Sequence, residues 1–114
     1  SIELNRDNPY AIARKRIENL SLIYESDLLM ILTETFPEAT IILFGSYSKG
    51  EDTLESDIDI AIVGVKEKEI SLGKLSKWLE REISLNFYAS LKTLDRHLRN
   101  NILNGIVLSG SVDI

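Results

Sequence analysis

The stretch from residue 41 to residue 63 constrains the fold of this chain more than any other. Two short apolar runs, predicted as strands at 40–44 and 57–63, flank a Gly-Ser turn and a charged loop. The second run carries Asp57 and Asp59 at alternate positions. Because alternate residues of a strand point to one face, we expect both carboxylates to converge while the intervening isoleucines face a core.

This aspartate pair predicts a metal site. Asp is depleted in strand interiors, and two like charges on one face repel each other. A hard divalent cation offsets that repulsion, and Mg²⁺ is commonly held through one or two carboxylates together with substrate phosphates. The sequence therefore indicates Mg²⁺ binding at Asp57 and Asp59, against the alternative of a bland solvent-facing strand.

The Gly-Ser turn after the first strand suits an anion. Gly45 allows a sharp turn, and the backbone amides that follow it, at the start of a short helical turn, can face a phosphate. Ser46 adds a hydroxyl donor, and Lys49 adds a cation one turn later. An ordinary turn remains the alternative for this pair taken alone.

Composition argues against several kinds of protein and of chemistry. The chain has 114 residues, a net charge of −5 and no cysteine. An acidic chain argues against broad nucleic-acid binding, which depends on Lys and Arg neutralising phosphates. The absence of cysteine excludes disulfides and thiolate chemistry and suits a reducing cytoplasm, which is the predicted location. No apolar run is long enough to span a membrane.

The periodicities predict one α/β (α+β) domain, a small mixed β-sheet backed by helices. The expected order is helix, strand, strand, helix, strand, helix and short strand. We expect a linker at 1–8, the domain at 9–110 with N-terminal helices at 9–36, and a tail at 111–114. Asp7 or Asn8, followed by Pro9, predicts the first helix start. The sequence leaves open whether 9–36 forms one bent helix or two.

The motif as a whole resembles a known family. Gly45-Ser46, ten residues, then Asp57-Ile58-Asp59 is similar to the signature of the DNA polymerase β-like nucleotidyltransferases. The flanking residues, 43–51 and 56–59, resemble the minimal nucleotidyltransferases, over roughly 29–108. The resemblance implies that Gly45, Ser46 and Lys49 hold the triphosphate of ATP. It implies that the two aspartates hold Mg²⁺, in one or two sites, for catalysis.

A third carboxylate of that family is not found. It is expected on the strand after the next helix, where this chain has 83–88. By spacing to the following helix, Asn86 best matches the missing acid, with Glu82 as a less well-spaced alternative. Asn offers a carbonyl oxygen to a metal but cannot accept a proton near neutral pH.

The sequence pattern also gives expectations for several side chains outside the motif. Trp78 is predicted to be core, and His97 a solvated surface residue. Tyr47 and Tyr88 are candidates to flank the nucleotide. Asp52 is expected either to support the site by contacting its ligand-binding residues or to be an exposed loop acid. Residues 5–16 resemble the junction at which some prokaryotic proteins join a winged-helix domain to a minimal nucleotidyltransferase.

The predicted function is Mg²⁺-dependent transfer of a nucleoside monophosphate, AMP by resemblance, from a triphosphate to an acceptor. The resemblance implies a HEPN-domain protein as acceptor in a toxin–antitoxin pair. The alternative is a catalytically weakened domain that binds nucleotide or a partner and serves regulation. We expect no membrane contact and no direct nucleic-acid binding by this segment, and the sequence leaves a homodimer open.

Overall fold

A four-stranded mixed sheet organises the structure, a computed structural model that describes residues 8–112. The strand order is β3-β2-β1-β4. Strand β1 is antiparallel to both β2 and β4, whereas β2 and β3 are parallel. The predicted mixed sheet is thus confirmed. The strands are β1 (Thr40–Phe44), β2 (Ile58–Val63), β3 (Ile83–Tyr88) and β4 (Ile106–Ser109).

Helices cover both faces of this sheet. The isoleucines of β2 pack with the N-terminal helices in one core cluster, while Ala61 packs with the C-terminal helix in a second cluster. The alternation along β2 therefore separates two cores, as period-2 patterning requires. The helices are α1 (Pro9–Glu25), α2 (Leu28–Thr35), α3 (Gly45–Lys49), α4 (Gly73–Leu79), a 3-10 turn (Leu91–Thr93) and α5 (Arg96–Leu103).

The N-terminal helical region forms two helices. Asn8 caps α1, and its side chain accepts a hydrogen bond from the Tyr10 amide at 2.9 Å. Pro9 occupies the first turn, as predicted. The Ser26 hydroxyl ends α1 by donating to the Ile23 carbonyl at 2.8 Å and accepts from the Leu28 amide at 3.3 Å. A side chain that bonds the backbone on both sides of the break separates the two helices.

One prediction in the C-terminal half was wrong, the assignment of Trp78 to the core. Trp78, which precedes the last residue of α4, is 55% exposed rather than core. A 3-10 turn precedes α5, and α5 starts after Asp95, whose side chain accepts from the His97 and Leu98 amides. An N-cap aspartate satisfies first-turn amides and so fixes the helix start.

The chain ends are described only in part. Asn8 belongs to the start of α1, and the rest of the predicted linker lies outside the described residues. Residues 111–112 of the predicted tail are in no helix or strand, and 113–114 lie outside the description. Among residues 8–112, no helix has the length and apolar character needed to cross a membrane.

Candidate functional site

The Gly-Ser turn connects β1 directly to α3. Phe44 ends the strand in an extended conformation, and Gly45 adopts a φ of +78°, which L side chains rarely adopt. A Cβ atom at residue 45 would lie 2.5 Å from Oδ2 of Asp59, closer than real Cβ contacts allow. Glycine is therefore required here by the backbone and by the neighbouring carboxylate together.

The two aspartates stand at the start of β2. Asp57 immediately precedes the strand and is exposed, so the predicted strand begins one residue later than expected. Asp59 lies within β2 and is partly buried, between Phe44 of β1 and Ser84 of β3. Burial, and secondarily the charge of Asp57, raises the pKa of the Asp59 carboxyl. Burial and the neighbouring charge thus disfavour the ionised form of Asp59, and a bound cation would relieve this.

Ser46 and Lys49 follow on α3. Ser46 is partly exposed, and in the described residues 8–112 its hydroxyl makes no hydrogen bond. The Lys49 ammonium lies 3.5 Å from Oδ1 of Asn101 on α5. Because α5 packs over the sheet face that carries Ala61, two residues beyond Asp59, Lys49 reaches toward the aspartate side of the sheet.

The sheet register places a different β3 residue beside the aspartates than spacing indicated. Ser84 pairs with Asp59, whereas Asn86 pairs with Ala61, one alternate position further along. The Asn86 amide donates to the carbonyl oxygens of Ile60 at 3.3 Å and Ser84 at 3.2 Å. Asn86 is therefore held by backbone groups of its own sheet.

Glu82 does not complete a carboxylate cluster. It is exposed and precedes β3, where its carbonyl accepts from the Ile58 amide at 2.8 Å. Across residues 8–112, no three His, Cys, Asp or Glu side chains are grouped to hold a metal ion. The donor set that fits Mg²⁺ in this region is the Asp57–Asp59 pair, which leaves remaining positions for phosphate and water oxygens.

Tyr88 and Tyr47 have different surroundings. Tyr88 lies on the same face of β3 as Ser84, and its pKa is raised by burial and then by the charge of Asp59, so it lines the aspartate side. Tyr47 is 2% exposed and belongs to the core, with its hydroxyl 3.5 Å from the carbonyl of Asn19. Tyr47 is thus unavailable to flank a nucleotide.

Sequence reasoning missed the role of Asp52. Its side chain is fully buried and accepts from the Asn19 amide at 2.7 Å. Nζ of Lys15 lies 3.3 Å from Oδ1, and Nη2 of Arg81 lies 3.1 Å from Oδ2. The loop between the two halves of the motif is therefore fastened to α1 and to the start of β3. No local pattern in the sequence pointed to this, because Lys15, Asn19 and Arg81 lie 29 to 37 residues from Asp52 along the chain.

A cavity of about 690 Å³ opens elsewhere, beside the edge strand β3. Its walls include Ile83, Leu85 and Phe87, which alternate with Ser84 and so face away from the aspartates. None of Gly45, Ser46, Asp57 or Asp59 lines it. We therefore base the candidate site on the chemistry of the motif rather than on this cavity.

A comparison with protein families finds a match that covers most of the chain, including the candidate site. Residues 25–111 match the family model described as a nucleotidyltransferase domain. The match includes the Gly-Ser turn, both aspartates and all four strands, and it begins after most of α1. It lends no support to the predicted winged-helix junction, which lies before it. A search of curated proteins gave no match.

Proposed function

This chain belongs to the nucleotidyltransferase domain family, and we propose that it transfers AMP from ATP to an acceptor hydroxyl with the help of Mg²⁺. The observation that carries the proposal is the contact between the Gly-Ser turn and Asp59. Phosphate oxygens bound by the turn would lie next to a carboxylate suited to a divalent cation. A magnesium-bound triphosphate has this combination of charges.

The residues of the chain fit a nucleotide–metal complex. The amides after Gly45 and the hydroxyl of Ser46 are donors for phosphate oxygens, and Lys49 offers a cation. Asp57 and Asp59 would hold the metal, which would neutralise charge on the attacking and leaving oxygens. The raised pKa of Asp59 supports this assignment, because a carboxylate whose ionised form is disfavoured by burial and by a neighbouring charge gains from a bound cation.

The proposed reaction is a displacement at the α-phosphorus. A bond forms between the acceptor oxygen and the α-phosphorus, the bond from that phosphorus to the bridging oxygen breaks, and pyrophosphate leaves. The acceptor also loses a proton. Neither Ser84 nor Asn86 can take it near neutral pH, so the proton would pass to water. Lack of a positioned base typically lowers a rate by about 10² to 10⁴.

A HEPN-domain protein is the acceptor that we propose, in a toxin–antitoxin pair. This rests on the resemblance of the motif to minimal nucleotidyltransferases. Asp57 is exposed at the start of β2, so the site edge is open to a macromolecular acceptor. An acceptor that supplies its own base would also compensate for the missing acid on β3.

The second candidate is a domain that binds nucleotide or a partner for regulation. The observation that favours it is the absence of an acid at Ser84 and Asn86, with no cluster of three metal-ligating side chains within residues 8–112. Such a domain would retain the phosphate turn and the aspartate pair but transfer little or nothing.

One experiment separates the two candidates. The protein is incubated with ATP labelled at the α-phosphate and Mg²⁺, with and without a HEPN protein encoded beside it. Asp59→Asn is the test variant, and Glu69→Gln, an exposed acid in the loop before α4, is the matched control. Label transfer that is lost in Asp59→Asn or in EDTA, but kept in Glu69→Gln, supports the enzyme. Tight binding of Mg²⁺ and ATP without transfer would instead establish the regulatory candidate.

A further inference from the structure

Helix α1 has an apolar outer side that no element of residues 8–112 covers. Its inner side carries the buried Asn19 and Ile23. On the outer side, Tyr10 is 79% exposed, Ile17 69% and Tyr24 54%. These three residues, the α1 stripe, are spaced by seven and therefore lie on nearly the same side of the helix, two turns apart.

The α1 stripe differs from the other exposed apolar residues. Single exposed apolar side chains are normal on a protein surface. Met30, Leu54, Trp78 and Val107 fit that description, because each lies on a different part of the fold. Leu22, which is 38% exposed, lies on α1 but well away from the line through Tyr10, Ile17 and Tyr24. The stripe instead places two tyrosines and an isoleucine in one line, and tyrosine is enriched at protein interfaces. This alignment indicates a surface that contacts another helix.

The stripe is symmetric about Ile17. Tyr10 lies seven residues before it and Tyr24 seven residues after it. If two copies of α1 pair antiparallel across a two-fold axis at Ile17, each Tyr10 meets Tyr24 of the second copy and the two isoleucines meet each other. A two-fold interface must be self-complementary in this way.

The flanks of the stripe match the same arrangement. Arg14 and Glu18 are exposed on one flank, with Nε and Oε1 3.4 Å apart. In the antiparallel pair, Arg14 of one copy lies about 3 Å along the axis from Glu18 of the other, from a rise of 1.5 Å per residue. On the opposite flank, Ala13 lies about 1.5 Å along the axis from Leu20 of the second copy. A parallel pair would instead place the Arg14–Glu18 flanks of the two copies on opposite sides of the interface, so these charges would not meet.

We propose that the α1 stripe is the surface through which two copies of this chain associate, as an antiparallel helix pair centred on Ile17. The proposal does not depend on nucleotidyl transfer. A contact made by one helix from each copy is small, at the low end of specific interfaces, below about 1,200 Å². We therefore expect a reversible dimer, whose fraction rises with protein concentration in sedimentation velocity.

Cysteine cross-linking tests the geometry directly, because the chain has no cysteine of its own. Ile17→Cys should form a disulfide dimer on mild oxidation, since the two side chains face each other at the axis. Tyr10→Cys should not, because the two substituted positions would be about 21 Å apart along the axis. Leu54→Cys, at an 83% exposed loop position, measures collisional background.

Each cross-linking outcome decides the proposal. Fast dimer formation by Ile17→Cys, with Tyr10→Cys and Leu54→Cys both at background, supports it. Equal rates for Ile17→Cys and Tyr10→Cys would indicate a parallel or random contact and overturn it. Background rates for all three, together with a monomer throughout the sedimentation series, would overturn it as well.

Charge variants give an independent measurement. Ile17→Glu should raise the dissociation constant at least about tenfold. Met30→Glu, a 52% exposed position on α2, should leave it unchanged. Arg14→Glu should weaken association, and adding Glu18→Arg should restore it. Thermal melting of each variant shows whether the fold is retained, and a dimer unaffected by Ile17→Glu in a folded protein would contradict the proposal.

Discussion

Asp59 lies directly beside Ser84 in the parallel register of β2 and β3, and Asn86 lies beside Ala61 instead. The side chain next to the metal-binding candidate is therefore a hydroxyl. The side-chain amide of Asn86, two residues further along β3, donates to two carbonyl oxygens. An acid would have quite different consequences at these two positions.

We expect Ser84→Asp to raise transfer activity and Asn86→Asp to fail to do so. An acid at 84 would lie beside Asp59 and could join it in holding the metal or accept the proton, with a gain of up to about 10² to 10⁴ in rate. An acid at 86 would face the carbonyl oxygens of Ile60 and Ser84 and lose their hydrogen bonds, at a cost of about 1–3 kcal/mol in stability. Initial rates with labelled ATP and urea unfolding measure both effects. A faster Asn86→Asp enzyme would contradict this assignment.

Gly45→Ala should weaken binding of the Mg²⁺–ATP complex. The added Cβ would overlap Oδ2 of Asp59, and the φ of +78° would be strained. Gly64→Ala is the matched control, since Gly64 has a φ of +94° but nothing within 4 Å of an added Cβ. Both variants should lose about 1 kcal/mol from backbone strain, whereas only Gly45→Ala should lose at least about tenfold in affinity by calorimetry. Equal affinities in the two variants would refute a role for the Gly45–Asp59 contact.

Asp59→Asn should stabilise the metal-free protein at neutral pH. The pKa of Asp59 is raised by burial and by Asp57, so the folded chain keeps a proton that the unfolded chain releases from about pH 3.9 upward. This carboxyl therefore lowers stability as pH rises through that window, and the penalty persists above it. Removing the charge should gain about 0.5 kcal/mol after allowance for solvent screening, or about 2–4 °C in Tm.

The stabilisation by Asp59→Asn should vanish below about pH 4, where the carboxyl is protonated in both states. Glu38→Gln, which removes an exposed charge, should change Tm little at any pH. Added Mg²⁺ should raise the Tm of the wild type but not that of Asp59→Asn, because a ligand stabilises only the state that binds it. An equal gain at pH 3 and pH 7 would show that the effect is not electrostatic.

Asp52→Asn should destabilise the fold by about 3 kcal/mol, since it leaves Lys15 and Arg81 without their shared buried carboxylate. Glu51→Gln, at the neighbouring exposed acid, should change stability by less than about 0.5 kcal/mol. Chemical denaturation compares the two free energies of unfolding. If both variants unfold alike, the buried network contributes nothing to stability.

Local patterns predicted the part of the site that is contiguous in sequence. Strand β1, the Gly-Ser turn and most of β2 follow from short-range rules, and the unusual Asp57–Asp59 pair marks the site by itself. The position beside Asp59 could not be found in this way, because strand register depends on how β3 packs after α4. Spacing to the following helix pointed to Asn86, but the irregular 3-10 turn before α5 makes that spacing unreliable.

The burial of Asp52 was hidden for a similar reason. Its partners are distant in sequence. Lys15 of α1, which also donates to the Asp52 carbonyl oxygen, lies 37 residues before it, and Arg81 lies 29 residues after it. A charged loop between two halves of a motif favours solvent exposure on composition alone. Trp78 shows the opposite error. Helical spacing predicted that it would be core, but on the short helix α4 its side chain is 55% exposed.

The Asp52 network also bears on where this domain can be cut. The family match begins at residue 25, so Lys15 and Asn19 lie outside it, yet both bond an acid inside the motif loop. A fragment that starts at 25 would expose Asp52 and Tyr47, both of which contact Asn19, to water. The family match therefore begins inside the cooperative folding unit. A fragment that keeps this unit intact must begin before Lys15.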